Sequence, residues 1–244
     1  MGKNPCEVWK TDSLVKTYLE SVRGGIPFAA QQIEIMLRLA GAAGNGKPAR
    51  FMDIGCGDGV LSASMLARFP EAKGVLVDFS EPMLVQARAR LAGHASGLEF
   101  VTADYGQPAW HAPFEDGSFD LIVSGYSIHH QPDERKRSLY REIFNLLSPG
   151  GLFVNIEHVS SPSEWVERNF EELFVDSMYA FARSRGAEKS REQVSKEFYN
   201  RPDKDANILA PVELQCEWLR ACGFRDVDCC FKVFELAVFG GRKP

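Results

Sequence analysis

The stretch that most constrains this chain runs from Arg50 to Leu66, R-F-M-D-I-G-C-G-D-G-V-L-S-A-S-M-L. An apolar run, Phe51 to Ile54, carries one acid, Asp53, near its end. Three glycines follow at alternate positions, Gly55, Gly57 and Gly59, and then Val60, Leu61, Met65 and Leu66 recur at helical spacing. Strand, glycine turn and helix make up the βα unit that binds nucleotides, because residues without a Cβ let the backbone turn tightly and approach a ligand. The spacing G-x-G-x-G differs from the dinucleotide pattern G-x-G-x-x-G, and the Lys-Ser/Thr pair of a phosphate-cradling loop is absent.

The rest of the chain repeats the alternation. Strands are expected at 50–54, 73–78, 98–102, 119–124 and 151–157, with helices at 59–69, 81–92 and 134–147 between them. Such alternation predicts a parallel sheet with helices on both faces. Two runs rich in Val, Phe and Cys, 226–232 and 234–240, read as closing strands. Upstream, residues 11–22 read as a helix that opens on Thr11-Asp12-Ser13 and is broken by Gly24-Gly25. Ile26-Pro27 then opens a second helix, through Leu39. The segment 160–209 is long for a crossover. It reads as helices at 163–184 and 188–199, and its Trp165, Phe170, Phe174, Met178, Tyr179 and Phe181 need a surface to cover. It is either a lid over the substrate side or a helical insertion remote from it.

At 244 residues, the chain is expected to form one domain. Its parts are a helical cap (1–48), a core (49–159), the insertion (160–209) and a closing helix with a strand pair (210–244). A net charge of −5 provides no overall basic field, which counts against a nucleic-acid partner. No apolar run reaches the roughly 18 residues that would span a membrane. The opening M-G-K-N-P-C lacks the apolar core of a signal peptide, and Cys6 stands where myristoylation prefers Ser or Thr. Six cysteines without a C-x-x-C suggest neither a zinc site nor a disulfide framework. A soluble cytoplasmic protein with reduced thiols is the expectation. The oligomeric state is open, a homodimer included.

The run D-I-G-C-G-D-G resembles the first motif, D-x-G-x-G-x-G, of the class I S-adenosylmethionine-dependent methyltransferases. The resemblance implies a seven-stranded, mostly parallel, doubly wound sheet with one antiparallel strand, and places the insertion between strands 5 and 6. It implies S-adenosylmethionine as cofactor, with Asp53, Gly55, Cys56 and Gly57 under its methionine half. Asp78, closing the run Val75-Leu76-Val77, would accept from the ribose hydroxyls, with Phe79 and Met83 just beyond. Asp104 and Tyr105, at the end of the third strand, would meet the adenine; Asp104 could equally be a turn acid. Near the N-terminus, Tyr18, Arg23 and Ile26-Pro27-Phe28 are similar to a family pattern in which the arginine pairs with the methionine carboxylate. A solvated helix end is the alternative for Arg23.

The fourth strand should deliver Ser124 and Tyr126 to the transferred methyl. Ser124 to Ser127 departs from the Asn-Pro-Pro-Tyr of relatives that methylate amide or exocyclic nitrogens. His129 and His130 could supply a base near neutral pH, or one of them could simply pack; no third ligand is spaced to make a metal site with them. L-L-S-P-G-G at 146–151 resembles the family's turn before the fifth strand. Glu157 and His158 alternate faces, so at most one points inward. His158, Tyr179 and Arg201 are the candidate substrate contacts.

These features imply methyl transfer to a small-molecule acceptor. A second reading is an enzyme similar to carboxy-S-adenosylmethionine synthase, which the long insert and the tail A-C-G-F…C-F-K-V-F-E-L-A-V-F-G-G resemble. Arg201 in Y-N-R-P-D would then match that family's carboxylate-binding arginine. Two departures are Gly57 in place of a serine and Pro202 in place of a tyrosine. A third reading is a non-catalytic protein that keeps the cofactor fold for binding.

Overall fold

The computed structural model describes residues 11, 15, 16, 18, 19, 23–44, 46–201 and 204–244. The expected helix over 11–22, Cys6 and Pro202 lie wholly or largely outside them. The elements run α1 (Ala29–Ala42), β1 (Arg50–Ile54), α2 (Val60–Arg68), β2 (Lys73–Asp78), α3 (Glu81–Arg90), β3 (Leu98–Thr102) and β4 (Phe119–Gly125). They continue with α4 (Asp133–Leu146), β5 (Leu147–His158), α5 (Glu164–Ser184), α6 (Arg191–Tyr199), α7 (Val212–Cys222), β6 (Arg225–Val233) and β7 (Leu236–Arg242).

Seven strands form one sheet in the order β3-β2-β1-β4-β5-β7-β6. Neighbours are parallel from β3 to β5, and β7 runs antiparallel to both β5 and β6. This is the doubly wound sheet with one antiparallel strand implied by the motif, with α5 and α6 inserted between β5 and β6. The period of two along β1 divides the core. Met52 and Ile54 pack with α4 and α7 on one face. Phe51 packs with α1, α2 and α3 on the other. Strand order reverses between β1 and β4, and in open α/β sheets the crevice at that reversal takes the ligand.

The insertion covers this crevice through a separate apolar cluster: Phe170, Phe174, Val175 and Met178 of α5, Val194 and Phe198 of α6, Ile26 before α1, and Leu236. Gly24-Gly25, expected only to break a helix, lets the two segments come close. A Cβ on Gly24 would lie 2.1 Å from the Phe181 ring, and one on Gly25 would lie 2.8 Å from Met178.

Several boundaries differ from the sequence expectation for local reasons. α1 starts at Ala29 instead of Ile26 because Phe28, at φ 57°, is in the left-handed region and the helix forms only after it. α6 starts at Arg191 because Ser190 and Gln193 form a reciprocal capping box. Residues 147–151, expected as a turn, instead belong to β5. Leu147 pairs with Phe119, Leu152 pairs with Leu121, and the residues between form an irregular bulge held by Lys243. Among the described residues, no helix is long and apolar enough to cross a membrane.

Candidate active site

The three glycines after β1 have φ of 65°, 53° and 76°, a region that L side chains rarely adopt. The turn is pinned by the N–H groups of Gly55 and Cys56, which both donate to the Val77 carbonyl at 2.8 and 3.0 Å. Gly55 is packed shut, since a Cβ there would lie 1.8 Å from Ser127 Oγ. Gly57 is open: a Cβ would meet nothing within 4 Å. That openness belongs to a cavity of about 470 Å³ at the reversal of strand order, lined by the loop, by the ends of β2 and β4, and by the insertion.

Two buried acids flank the loop. Asp78 accepts from Gly57 N–H at 2.9 Å through Oδ2 and from Ser80 N–H at 2.8 Å through Oδ1. Burial pushes its carboxyl up to about 6 against those hydrogen bonds. Asp53 accepts from Ser62 Oγ at 2.7 Å through Oδ2, while its Oδ1 is buried without a hydrogen-bond partner. Burial pushes this carboxyl up to about 7. Cys56 lines the cavity, but burial raises its thiol well above the ordinary range, so it is a packing group rather than a nucleophile.

Phe79, Met83, Asp104 and Tyr105 also line the cavity. Asp104 Oδ1 accepts from Gly106 N–H at 2.8 Å, and the Tyr105 hydroxyl donates to Ser127 O at 2.9 Å. Arg23 reaches the same cavity, but its guanidinium is 3.0 Å from the buried Asp58 carboxylate inside the glycine motif, which also pairs with Arg90. It is therefore not the solvated helix end weighed above. Ser124 differs from its expected place. It is fully buried in β4, donates to Ile54 O at 2.8 Å and does not line the cavity, because the strand emerges only at Gly125 and Tyr126.

The opposite end is built by β4, β5 and the insertion. His129 and His130 occupy a short turn after β4 with ring centroids 4.0 Å apart. Glu157 of β5 holds His129 in two places. It accepts the backbone N–H at 3.0 Å through Oε2 and faces Nδ1 at 2.6 Å through Oε1. His158 N–H donates to the same carboxylate at 2.9 Å. Burial pushes Glu157 up to about 7 and His129 down, so the pair is held by one shared proton rather than two full charges. With Nδ1 engaged, the other nitrogen of His129 is left for Asn207 and the cavity that both residues line. His130 Nδ1 lies 3.1 Å from Ala206 O. Tyr126, at φ 51°, donates its hydroxyl to the buried Gln32 at 2.6 Å, and burial raises its phenol.

The expectation that only one of Glu157 and His158 points inward holds in geometry. His158 lines the cavity, while Glu157 lies behind it. Arg201 also lines it, with its guanidinium 4.4 Å above the Phe198 ring and Nη1 donating to Phe198 O at 2.9 Å. Tyr179 does not. The inward face of α5 carries Phe170 and Phe174, four residues apart, whereas Tyr179 turns to the side of the insertion cluster.

A family model described as a methyltransferase domain matches residues 51–151, which span β1 to the start of β5. The chain is 34% identical over 179 residues to demethylmenaquinone methyltransferase of Clavibacter sepedonicus, covering 73% of this chain and 66% of that protein. Residues 51–151 thus carry a methyltransferase domain, and the chain is similar to S-adenosylmethionine-dependent methyltransferases of class I. The carboxy-S-adenosyl-L-methionine synthase of Methylococcus capsulatus is 28% identical over 91% of this chain and 87% of that one. Among solved structures, Haemonchus contortus phosphoethanolamine N-methyltransferase 2, in complex with phosphomonomethylethanolamine and S-adenosylhomocysteine, superposes with a TM-score of 0.63 at 17% identity. That match covers 96% of this chain and 58% of that one and shows a shared fold. The chain spans just under two thirds of the first curated relatives it matches.

The residues present fit the family's cofactor. Gly57 leaves a space that any side chain would fill, and Asp53, which lines the cavity, has a buried Oδ1 with no hydrogen-bond partner, an acceptor left over for a donor such as an amino group. Sequence reasoning missed Glu157 as the partner of His129, Gln32 as the partner of Tyr126, and Asp58 as the partner of Arg23. The residue after the second motif glycine carried a signal for Asp58, since an acid there faces a helix N-terminus. No local signal marks Gln32, which lies 94 residues from Tyr126 in sequence.

Proposed function

We propose that this chain transfers a methyl group from S-adenosylmethionine to a small acceptor with an apolar body and a protonated nucleophile. One juxtaposition carries this reading: the glycine cradle and Asp78 line the same cavity as His129, which Glu157 holds from behind. Bound there, S-adenosylmethionine supplies a methyl group on a positively charged sulfur. Asp78 would accept from the ribose hydroxyls, and the bare oxygen of Asp53 from the amino group. Asp104 would take the adenine amino group, with Phe79, Met83 and Tyr105 around the ring. Arg23, fixed by Asp58, would face the methionine carboxylate.

His129 is the base in this reading. Glu157 holds the Nδ1–H tautomer, so Nε2 carries the lone pair that receives the acceptor's proton as its heavy atom becomes the nucleophile. The imidazolium formed is stabilised by the buried carboxylate. Phe170, Phe174 and Phe198 exclude water and supply an apolar wall. We take the chain as a single cytoplasmic domain in which residues 160–209 act as the lid.

A second reading has two observations in its favour. The likeness to carboxy-S-adenosylmethionine synthase extends along 91% of the chain, and Arg201 reaches the cavity. Mass spectrometry of the small molecule released on denaturing the purified protein separates the two. S-adenosylmethionine or S-adenosylhomocysteine supports the first reading, and a carboxylated cofactor supports the second. Asp78→Ala should weaken S-adenosylhomocysteine binding by about 10- to 100-fold, the loss of charge-assisted hydrogen bonds. Unchanged affinity by calorimetry would reject the ribose role.

A further inference from the structure

The acceptor end holds a second imidazole–carboxylate pair that the proposed reaction does not use. His158, the last residue of β5, puts Nε2 2.7 Å from Oε2 of Glu235. Glu235 comes from the two-residue turn between β6 and β7, where a carboxylate would ordinarily face water. Here the turn is inverted: Glu235 is 3% exposed, while its neighbour Phe234 is 38% exposed. Phe234 is also held at φ 51°, a conformation unfavourable for an aromatic residue. The turn is fastened to the end of β5 by Val159 N–H, which donates to Glu235 O at 2.8 Å. Exposing a phenylalanine and burying a glutamate in a strained turn costs stability, and strain of this kind persists where it serves a site.

The second pair resembles the first in its chemistry. A neutral His158 with its proton on Nε2, donated to Glu235, carries its lone pair on Nδ1, which makes no hydrogen bond to a described residue. His129, with its proton on Nδ1 toward Glu157, carries its lone pair on Nε2. The two rings stand 5.6 Å apart, edge to face, and both line the cavity. The acceptor end therefore presents Nδ1 of His158 and, beside Asn207, Nε2 of His129 to one small molecule, next to the ring of Phe170, which is 5.4 Å from His158.

We propose that Glu235 is a positioning residue that fixes the tautomer of His158, and that the substrate accordingly carries two X–H donors on one apolar frame. One donor is the nucleophile that meets His129. The other is a hydroxyl or N–H group that binds Nδ1 of His158 and sets the orientation. The assignment of His129 rests on the methyltransferase reading; the His158–Glu235 pairing does not.

The test uses the full-length protein loaded with S-adenosylhomocysteine and two probes, 2,3-dihydroxynaphthalene and 2-naphthol, which share a frame and differ by one hydroxyl. Calorimetry should show the diol binding at least about ten-fold more tightly, the effect of one added hydrogen bond. Glu235→Leu and His158→Phe should each bring the ratio close to one. Glu235→Gln, whose amide oxygen still accepts from Nε2–H, should keep the preference. Nitrogen-15 histidine spectra should show His158 as the Nε2–H tautomer in the unaltered protein and in Glu235→Gln, and a mixture in Glu235→Leu. A ratio near one in the unaltered protein, a preference that survives Glu235→Leu, no binding of the diol, or an Nδ1–H tautomer would each overturn the proposal. Failure to bind S-adenosylhomocysteine would count against the methyltransferase reading instead, and the tautomer would still decide the role of Glu235.

Discussion

Nδ1 of His129 lies 2.6 Å from Oε1 of Glu157, and the same carboxylate accepts the histidine's own backbone N–H at 3.0 Å. A ring anchored at both its backbone and its side chain has one orientation, with its second nitrogen turned to Asn207 and the cavity. Glu157→Gln keeps the shape but sets an NH₂ group against donors that all need an acceptor. Turnover should fall by about 10²- to 10⁴-fold, the range for loss of general base catalysis, with S-adenosylhomocysteine affinity unchanged by calorimetry. Equal turnover in the variant would remove His129 as base.

Gly55 and Gly57 share a left-handed backbone but not an environment, so alanine should act differently at each. At Gly55 the new methyl meets Ser127 at 1.8 Å and displaces the partner of Tyr105. Gly55→Ala should therefore lower stability by several kcal/mol, beyond the roughly 1–2 kcal/mol of the backbone conformation alone. At Gly57 nothing lies within 4 Å, so only the conformational cost applies to folding, but the methyl enters the cradle. Gly57→Ala should melt a few degrees lower and lose at least about ten-fold in S-adenosylhomocysteine affinity. Thermal melts and calorimetry read both; a Gly57→Ala protein that binds normally would show that the cradle is not the cofactor's place.

Sheet and glycine loop were legible in the sequence because their signals are local. Apolar runs ending in Asp53 and Asp78 mark strand ends, and alternate glycines mark a turn whose geometry only glycine tolerates. Ser124 misled because it ends an apolar run just as Asp78 does. Whether such a residue faces the crevice or the neighbouring strand depends on where the strand leaves the sheet, and here that is one residue later. Tyr179 misled because an aromatic-rich helix has aromatics on more than its buried stripe. Glu157 was legible as a candidate but not in its role, since its partner His129 sits in the turn after β4, 28 residues earlier, and no local signal marks which turn meets which strand end. Glu235 was invisible, because the sequence places it inside the expected closing strand 234–240, whereas the turn between β6 and β7 falls on it.

Asp53 should make stability depend on pH in an unusual direction. Burial raises its carboxyl from the ordinary 3.8 to about 7, so the folded chain holds this proton more tightly than the unfolded one. The contribution is fully present below about pH 4 and is lost as pH rises through about 7, at most about 4 kcal/mol at 1.36 kcal/mol per unit. Asp53→Asn has no such proton, so denaturant titrations should show it gaining on the unaltered protein between pH 4 and 7. The same variant should bind S-adenosylhomocysteine more weakly, the exchange of stability for function expected of a buried acceptor left without a partner. Parallel stability curves for the two proteins would refute the raised carboxyl.

Lys136 ties the strap that closes the insertion to the helix beneath the site. It is fully buried, and its ammonium donates to Asp133 Oδ1 at 2.8 Å and to the Ile208 carbonyl. The strap is tied twice more, by Ile208 N–H to His129 O at 2.9 Å and by Ala206 O to His130. Lys136 itself does not line the cavity. Lys136→Met preserves volume while removing one tie. A buried charge replaced by a packed apolar group is often close to neutral for global stability, within about 1–2 kcal/mol. The local effect should be larger in kind: the Ile208 amide, protected only while the strap sits on His129, should exchange with solvent about 10-fold faster or more. Hydrogen exchange measured residue by residue reads this directly, and equal protection of Ile208 in both proteins would mean that the two histidine contacts hold the strap without the lysine.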